Sequence, residues 1–217
     1  MASSTTGRIV DTNVPKTANR GRDTAAIPPA EVKCILACIE AVTKVVSNFS
    51  LVLDAGDEIF TEYRRQLHLS GLPGIGDAFV KWVHENRYLL PDESRVAITP
   101  NGDSYDEFPA HDGLTSFDRS DRKFVAVANA HPEKPTILQA TDSKWIGWES
   151  PLAECGISVE FLCRELAEAL YRQKVGEKYD RDTLTCSLRK RQQMSATFPH
   201  PRRGFSLLSQ AVHGLVA

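Results

Sequence analysis

The chain alternates between short continuous apolar runs and longer segments whose apolar residues recur every three or four positions. The continuous runs predict strands buried on both faces, and they lie at residues 7–10, 51–53, 95–99, 135–140 and 157–163. The periodic segments predict helices, and they lie at residues 30–47, 57–67, 77–86, 117–130, 149–154 and 164–176. The alternation indicates an α/β fold of three α/β/α layers with a mostly parallel central sheet.

Two aspartates directly follow predicted strands. Asp11 ends the run R-I-V-D and precedes T-N-V-P, which we interpret as a turn, and Asp142 follows T-I-L-Q-A. The carboxyl ends of parallel strands share one edge of a sheet, and ligands bind there. We therefore expect Asp11 and Asp142 at the same edge. Asp54 also ends a predicted strand.

Three further carboxylates lie on or beside the apolar faces of predicted helices. Asp121 comes three residues before the apolar Phe124, and Asp118 lies one turn earlier. Glu62 is the neighbour of Tyr63, which belongs to the apolar stripe of its own helix. A carboxylate in such a position is costly unless it is hydrogen-bonded, paired with a cation or bound to a metal ion.

Ordinary structural roles are available for each of these acids. Asp118 has the position of a helix N-cap, which is its favoured interpretation, while both interpretations stay open for Asp121. Glu62 could pair with one of the arginines that follow it. Asp142 could cap the turn that leads into Trp145.

Several acids at one sheet edge raise one another's pKa values, because like charges repel at short range. A divalent cation removes this penalty, and oxygen ligands without His or Cys select Mg²⁺ or Mn²⁺. Metal ions held in this way are the usual apparatus for hydrolysis of phosphodiester bonds.

Four motifs in this order resemble the PIN domain family: V-D-T-N at the first strand, an acid in the helix after the second strand, F-D-R-S-D-R-K-F-V-A-V-A, and A-T-D-S-K-W. The resemblance implies a parallel sheet flanked by helices, and four acidic positions that hold Mg²⁺ or Mn²⁺ for nuclease chemistry, most often on RNA. By position, the catalytic and metal-binding acids would be Asp11, Glu62, Asp121 and Asp142, with Asp118 as a neighbouring metal ligand.

The resemblance covers residues 7–163 as a PIN-like nuclease domain and leaves residues 164–217 as a C-terminal helical and basic extension. Five basic residues and no acidic residue lie within positions 183–217. Such a tail can attract phosphate backbones. It is equally typical of solvated or partner-binding tails.

Polar residues beside the acids are candidates for substrate binding. Asn13 or Thr12, next to the first acid, would orient a ligand or the substrate phosphate. Arg122 and Lys123, next to the third acid, could hold phosphates, although a solvated helix face is the simpler interpretation for either one.

Three features leave parts of this assignment open. The family often has a second acid two residues after the fourth, where this chain has Lys144, so one firmly bound ion is an alternative to two. Asp54 could take the role assigned to Glu62, although the family acid lies inside the helix. Trp145 and Trp148 could stack on a base, but packing on the core is the stronger interpretation.

The expected function is therefore a metal-dependent endoribonuclease on single-stranded RNA, and a role as a toxin held by an antitoxin, or as a defence effector, follows from the resemblance only. A catalytically weak or inactive RNA-binding or protein-interaction scaffold is the alternative that Lys144 favours. A DNA nuclease is a further alternative, because a metal site recognises the phosphate and not the sugar. A homo-oligomer also stays open.

Composition adds limits on location. Hydrophobic residues form 41% of the 217 residues and charged residues 25%, with a net charge of −2, which is typical of a soluble globular protein. No apolar run approaches the roughly 20 residues of a membrane span, and M-A-S-S-T-T-G-R has no signal-peptide core. We expect a cytoplasmic protein without membrane contact, in which Cys34 and Cys38 are buried thiols rather than metal ligands.

Overall fold

The computed structural model describes residues 7–22, 27–69 and 74–175. The strands in this part of the chain are β1 (Arg8–Val10), β2 (Leu53–Asp54), β3 (Arg95–Val96), β4 (Pro100–Asn101), β5 (Ser104–Tyr105), β6 (Thr136–Gln139) and β7 (Val159–Phe161). The α-helices are α1 (Asn13–Asn19), α2 (Pro29–Ser47), α3 (Glu58–Gln66), α4 (Ile75–Asn86), α5 (Arg122–Ala130), α6 (Glu149–Glu154) and α7 (164–175).

The chain has a mixed α/β fold built around a parallel three-stranded sheet in the order β1-β6-β7. Strands β2 and β3 form a second parallel pair. Hydrogen bonds from the Arg8 amide to the Ser50 carbonyl (2.7 Å) and from the Val52 amide to the Arg8 carbonyl (2.8 Å) connect β1 with the segment that enters β2. The carboxyl ends of these parallel strands therefore point in one direction. Strands β4 and β5 form a short antiparallel hairpin.

Strands β1, β2 and β6 are mostly buried, as their continuous apolar runs predict, whereas β3 and β7 are only partly buried. Ile9 and Val10 are adjacent in β1 and both are completely inaccessible to solvent. Successive side chains of a strand point to opposite faces of the sheet, so both faces of β1 are covered. Helix α5 packs on β1, β2 and β6, and helices α1, α2 and α4 pack on one another.

Helix α1 was not predicted, because T-N-V-P was interpreted as a turn. Thr12 is the N-cap of this helix and Pro15 lies in its first turn, where a backbone N–H has no partner within the helix, so proline costs nothing there. Helix α1 lies so close to α4 that a Cβ atom at Gly76 would be 1.9 Å from the Pro15 carbonyl oxygen.

The predicted helix 117–130 begins later than expected. Asp118 caps a short 3₁₀ turn at Arg119–Asp121 by accepting a hydrogen bond from the Ser120 amide, and α5 then starts at Arg122. The 3₁₀ turn ends at Asp121, which is the N-cap of α5.

The cysteine prediction was wrong for Cys34, which forms a disulfide with Cys163, 129 positions further along the chain. Cys38 is a free buried thiol, as predicted, and burial raises its pKa to about 12. The spacing of Cys34 and Cys38 on α2 contains no information about Cys163, which follows the last strand. A disulfide is unusual in a reducing cytoplasm, so this pair does not support the expected location.

The first part of the predicted extension packs on the domain. Residues 164–175 are helical, and Ala167 is completely buried in the core. The basic segment 183–217 lies outside the described residues. Within residues 7–22, 27–69 and 74–175, the helices are all too short or too polar to span a membrane.

Candidate metal centre

Asp11 lies at the carboxyl end of β1, where its amide donates a hydrogen bond to the Leu138 carbonyl of β6 (3.0 Å). Its side chain is 2% exposed. Among the described residues, one hydrogen bond reaches its carboxylate, from the Asn13 amide to Oδ1 (2.8 Å). Burial raises the pKa of Asp11 well above its usual range, and the negative charges of Asp121, Glu62 and Asp142 raise it further. The acids predicted from four separate segments therefore share one electrostatic environment.

Asp121 lies at the N-cap of α5, which packs on β1, and is also buried. Its Oδ2 accepts a hydrogen bond from the Trp145 indole Nε1 (3.2 Å), and its Oδ1 accepts one from the Ser120 hydroxyl (3.1 Å). Burial is the main reason why the pKa of Asp121 is raised to about 6, followed by the negative charges of Asp118 and Asp142. These two hydrogen bonds fix the position of the Asp121 carboxylate, but they do not neutralise its negative charge.

Glu62 reaches the same site from α3. The Thr12 hydroxyl donates a hydrogen bond to its Oε1 (2.5 Å), and the Lys123 ammonium lies 2.5 Å from its Oε2. Lys123 is 8% exposed and also donates to the Ser120 carbonyl. The ion pair of Glu62 is therefore with a buried lysine of α5 rather than with an arginine of its own helix.

Asp54, the rival of Glu62 for the second acidic position, serves as a cap for α3. Its Oδ2 accepts a hydrogen bond from the Glu58 amide (2.7 Å), and its Oδ1 accepts one from the Ile59 amide (2.8 Å). Both oxygens are thus used at the start of the helix, where orphan amides and the helix dipole favour a carboxylate.

Asp118 and Asp142 form the outer side of the site together with Lys144. The Lys144 ammonium contacts Asp118 Oδ2 directly and lies 3.9 Å from Asp142 Oδ2. Its hydrogen bond lowers the pKa of Asp118. Asp142 also caps the turn that follows it by accepting a hydrogen bond from the Lys144 amide (3.2 Å), which is the structural role considered for it from the sequence.

The carboxylates at this site carry more negative charge than the neighbouring ammonium groups balance. The acidic cluster consists of Asp11, Glu62, Asp118, Asp121 and Asp142. Within the described part of the chain, two ammonium groups contact it, those of Lys123 and Lys144. Five carboxylates against two ammonium groups leave three negative charges when all are ionised. One divalent cation would reduce this excess to one negative charge, and two would reverse its sign.

The basic side chains predicted to bind phosphate contact the protein itself. The Arg122 guanidinium donates hydrogen bonds to the Thr115 carbonyl (3.1 Å) and the Phe117 carbonyl (3.3 Å), and Lys123 is turned towards Glu62. Phosphate binding by these two residues stays a prediction.

The tryptophans pack against the core. Trp145 is fully buried, and its ring centroid lies 5.0 Å from that of Phe117. Trp148 is half-buried and packs 4.7 Å from the same ring. Trp145 therefore binds Asp121 through its indole N–H, and because it is buried its ring has no free face on which a base could stack.

Several contacts at the site were missed by the sequence analysis. The buried Tyr63 hydroxyl donates a hydrogen bond to the Val10 carbonyl, which ties α3 to the end of β1 directly beside Asp11. A buried tyrosine needs a partner for its hydroxyl, so its position in the apolar stripe could have indicated such a bond. The sequence carries no signal for which carbonyl receives it, nor for the pairing of Lys123 with Glu62.

The donor set of the acidic cluster fits a hard divalent cation. Its side chains offer carboxylate oxygens without His or Cys, which is the set that Mg²⁺ and Mn²⁺ prefer. The pKa values of Asp11 and Asp121 are raised chiefly by burial and further by the neighbouring carboxylates, so these are the groups that a cation would stabilise most. Comparisons with protein-family models, curated proteins and solved structures found no match for this chain.

Proposed function

We propose that this protein is a nuclease that depends on Mg²⁺ or Mn²⁺, with single-stranded RNA as its substrate and an endonucleolytic mode of cleavage. The observation that carries the proposal is the environment of Asp11, a carboxylate at a strand end whose pKa is raised first by burial and then by three other carboxylates from separate elements. Proteins rarely bury so much like charge unless a cation binds there. The coverage of both faces of β1 supports the three-layer PIN-like arrangement that we propose with this function.

In this proposal Asp11, Glu62, Asp121 and Asp142 hold the ion. A divalent cation bound there supplies Lewis-acid stabilisation of a phosphate oxygen and lowers the pKa of water. The Thr12 hydroxyl orients Glu62, and the Trp145 indole orients Asp121. Hydrogen bonds of this kind to ligating side chains commonly determine metal affinity.

The charge balance supports one firmly bound ion. The Lys144 ammonium contacts Asp118 and lies close to Asp142, on the side where a second ion would need these carboxylates. Lys144 would then supply positive charge beside Asp118 and Asp142 in place of a second metal.

Cleavage of matched oligonucleotides tests the proposal directly. The parent protein should cleave single-stranded RNA when Mn²⁺ is present and should stop when EDTA is added, and a DNA strand of the same sequence tests the DNA alternative. Asp11→Asn and Asp121→Asn should each lower the rate by more than about 100-fold, since even indirect contacts at metal sites are worth roughly 10–100-fold.

The matched control is Glu40→Gln, which changes an exposed carboxylate of α2 paired with Lys44. It should cleave like the parent. Cleavage of RNA by both aspartate variants at the parental rate would refute the assignment of the site.

The second candidate is a PIN-like scaffold that binds RNA or a partner protein without cleaving it. The two lysines favour it, because their ammonium groups already pair with carboxylates of the acidic cluster. A thermal unfolding scan with Mn²⁺ separates the two, since an ion that binds only the folded state raises its stability. A scaffold without the site should show no gain. A toxin or defence role and an antitoxin partner are proposals that depend on the nuclease activity, whereas a cytoplasmic location is a proposal from composition alone.

A further inference from the structure

Three cysteines converge in the core away from the acidic cluster. Cys34 and Cys38 lie one turn apart on α2, and Cys163 immediately precedes α7. Their Sγ atoms all lie within 4.8 Å of one another, and the residues are 4%, 0% and 7% exposed. Two of the sulfurs form the Cys34–Cys163 disulfide, while Cys38 Sγ lies 4.0 Å from Cys163 Sγ.

A single disulfide would not require a third buried thiol beside it. Cys38 lies one helical turn beyond Cys34 on α2, and this spacing brings both of their Sγ atoms close to that of Cys163. Convergence of three soft donors is the usual arrangement of a thiolate metal site. We propose that the reduced protein binds a thiophilic metal ion of the Cu(I) class through Cys34, Cys38 and Cys163.

The geometry fits three-coordinate binding. Three sulfurs placed about 2.3 Å from a central ion in one plane are about 4 Å apart, and the Cys38–Cys163 separation already has this value. Cys34 reaches the third corner once its bond to Cys163 is broken. No His, Asp or Glu within the described ranges joins the group. Zn²⁺, which takes four ligands in structural sites, therefore fits less well than Cu(I).

The disulfide and the metal are alternative states of one site. A dithiol reductant supplies two electrons and two protons, the Cys34–Cys163 bond breaks to give two thiols, and the reductant becomes a disulfide. Binding of the ion then forms three metal–sulfur bonds and releases three protons. Either state connects α2 to the start of α7.

Titration of the full chain with Cu(I) tests the proposal. The background is Cys155→Ser with Cys186→Ser, which removes the two cysteines outside the cluster. After reduction and anaerobic removal of the reductant, this protein should bind one equivalent of Cu(I) against a competing chelator and show thiolate-to-copper charge-transfer absorption. The oxidised form of the same protein, which needs no further substitution, should bind none.

A third substitution separates three-thiolate from two-thiolate binding. Cys38→Ser in the same background should lower the Cu(I) affinity at least tenfold while far-ultraviolet circular dichroism shows a folded chain. Equal binding by the reduced and oxidised forms, absence of binding by the folded reduced form, or unchanged affinity of the Cys38→Ser variant would each overturn the proposal. The outcome does not depend on nuclease activity, so the two proposals fail separately.

Discussion

The clearest physical prediction concerns the substitution Asp121→Asn in the absence of metal. The amide retains an oxygen that accepts the hydrogen bond from Trp145, so the main change is the loss of a negative charge. The pKa of Asp121 is raised from 3.8 to about 6, chiefly by burial. Each unit of such a shift corresponds to about 1.4 kcal/mol. The ionised Asp121 therefore costs the metal-free protein up to about 3 kcal/mol.

The pH dependence follows from the direction of the shift. A carboxyl group whose pKa is raised by folding binds its proton more tightly in the folded state, so folding is not penalised below pH 3.8. The penalty grows as the pH rises from 3.8 to about 6 and is constant above that. In EDTA, Asp121→Asn should therefore be more stable than the parent at pH 7.5. Near pH 3.8 the two proteins should be nearly equal in stability.

Calorimetric unfolding measures this difference. For a domain of this size, 1 kcal/mol shifts the midpoint by roughly 2–4 °C, so the variant should melt higher in EDTA at pH 7.5, by up to roughly 12 °C. Mn²⁺ at about 1,000 times the dissociation constant of the parent should reverse the order, because the parent then gains about 4.1 kcal/mol and the variant gains little. A variant that is less stable than the parent in EDTA, or that gains as much from Mn²⁺, would refute the reasoning.

Asp77→Asn is the matched control, and its expected change in stability is opposite to that of Asp121→Asn. Burial acts to raise the pKa of Asp77, but hydrogen bonds from the His68 amide, the Asn19 side chain and the Gly74 amide outweigh it, and the pKa is lowered. Ionised Asp77 thus stabilises the fold above its unfolded pKa, and this contribution is lost as the pH falls through the lowered value. The asparagine variant should melt below the parent at pH 7.5, with or without Mn²⁺.

Two further substitutions test other parts of the structure. Gly76→Ala should lower the free energy of unfolding by about 3 kcal/mol, because its Cβ would lie 1.9 Å from the Pro15 carbonyl oxygen; denaturant titration measures this, and Gly56→Ala, whose Cβ meets only a side-chain oxygen at 3.5 Å, should be nearly neutral. Lys144→Gln should allow a second Mn²⁺ to bind in isothermal calorimetry, because it frees Asp118 and Asp142 from their ammonium partner. One ion per chain in both proteins would show that Lys144 does not replace a second metal.

The sheet and its edge could be predicted because their signals are local. Continuous apolar runs mark strands buried on both faces, and the end of such a run marks the edge where Asp11 and Asp142 lie. Helix α1 escaped prediction because proline and asparagine are typical both of turns and of the first turn of a helix. Only packing against α2 and α4 decides between the two.

Partners distant in the chain could not be predicted. Lys123 resembles a solvated surface lysine in the sequence, and only the fold turns it onto Glu62, 61 positions earlier. The pairing of Cys34 with Cys163 depends in the same way on the path of the chain between them. Helical and strand periodicity indicate which face of its own element a residue occupies. They do not indicate which residue of another element it contacts.

The acidic cluster takes its members from β1, α3, the turn before α5 and the end of β6, and no short fragment of the chain contains the whole set. An ion bound there would touch elements that separate only when the entire domain unfolds. Metal supply would then control how long the protein survives in a cell, since proteolysis follows the population of open molecules. We expect a nonspecific protease to digest the purified protein markedly faster in EDTA than in Mn²⁺. The Asp11→Asn variant should be digested at the same rate in the two buffers.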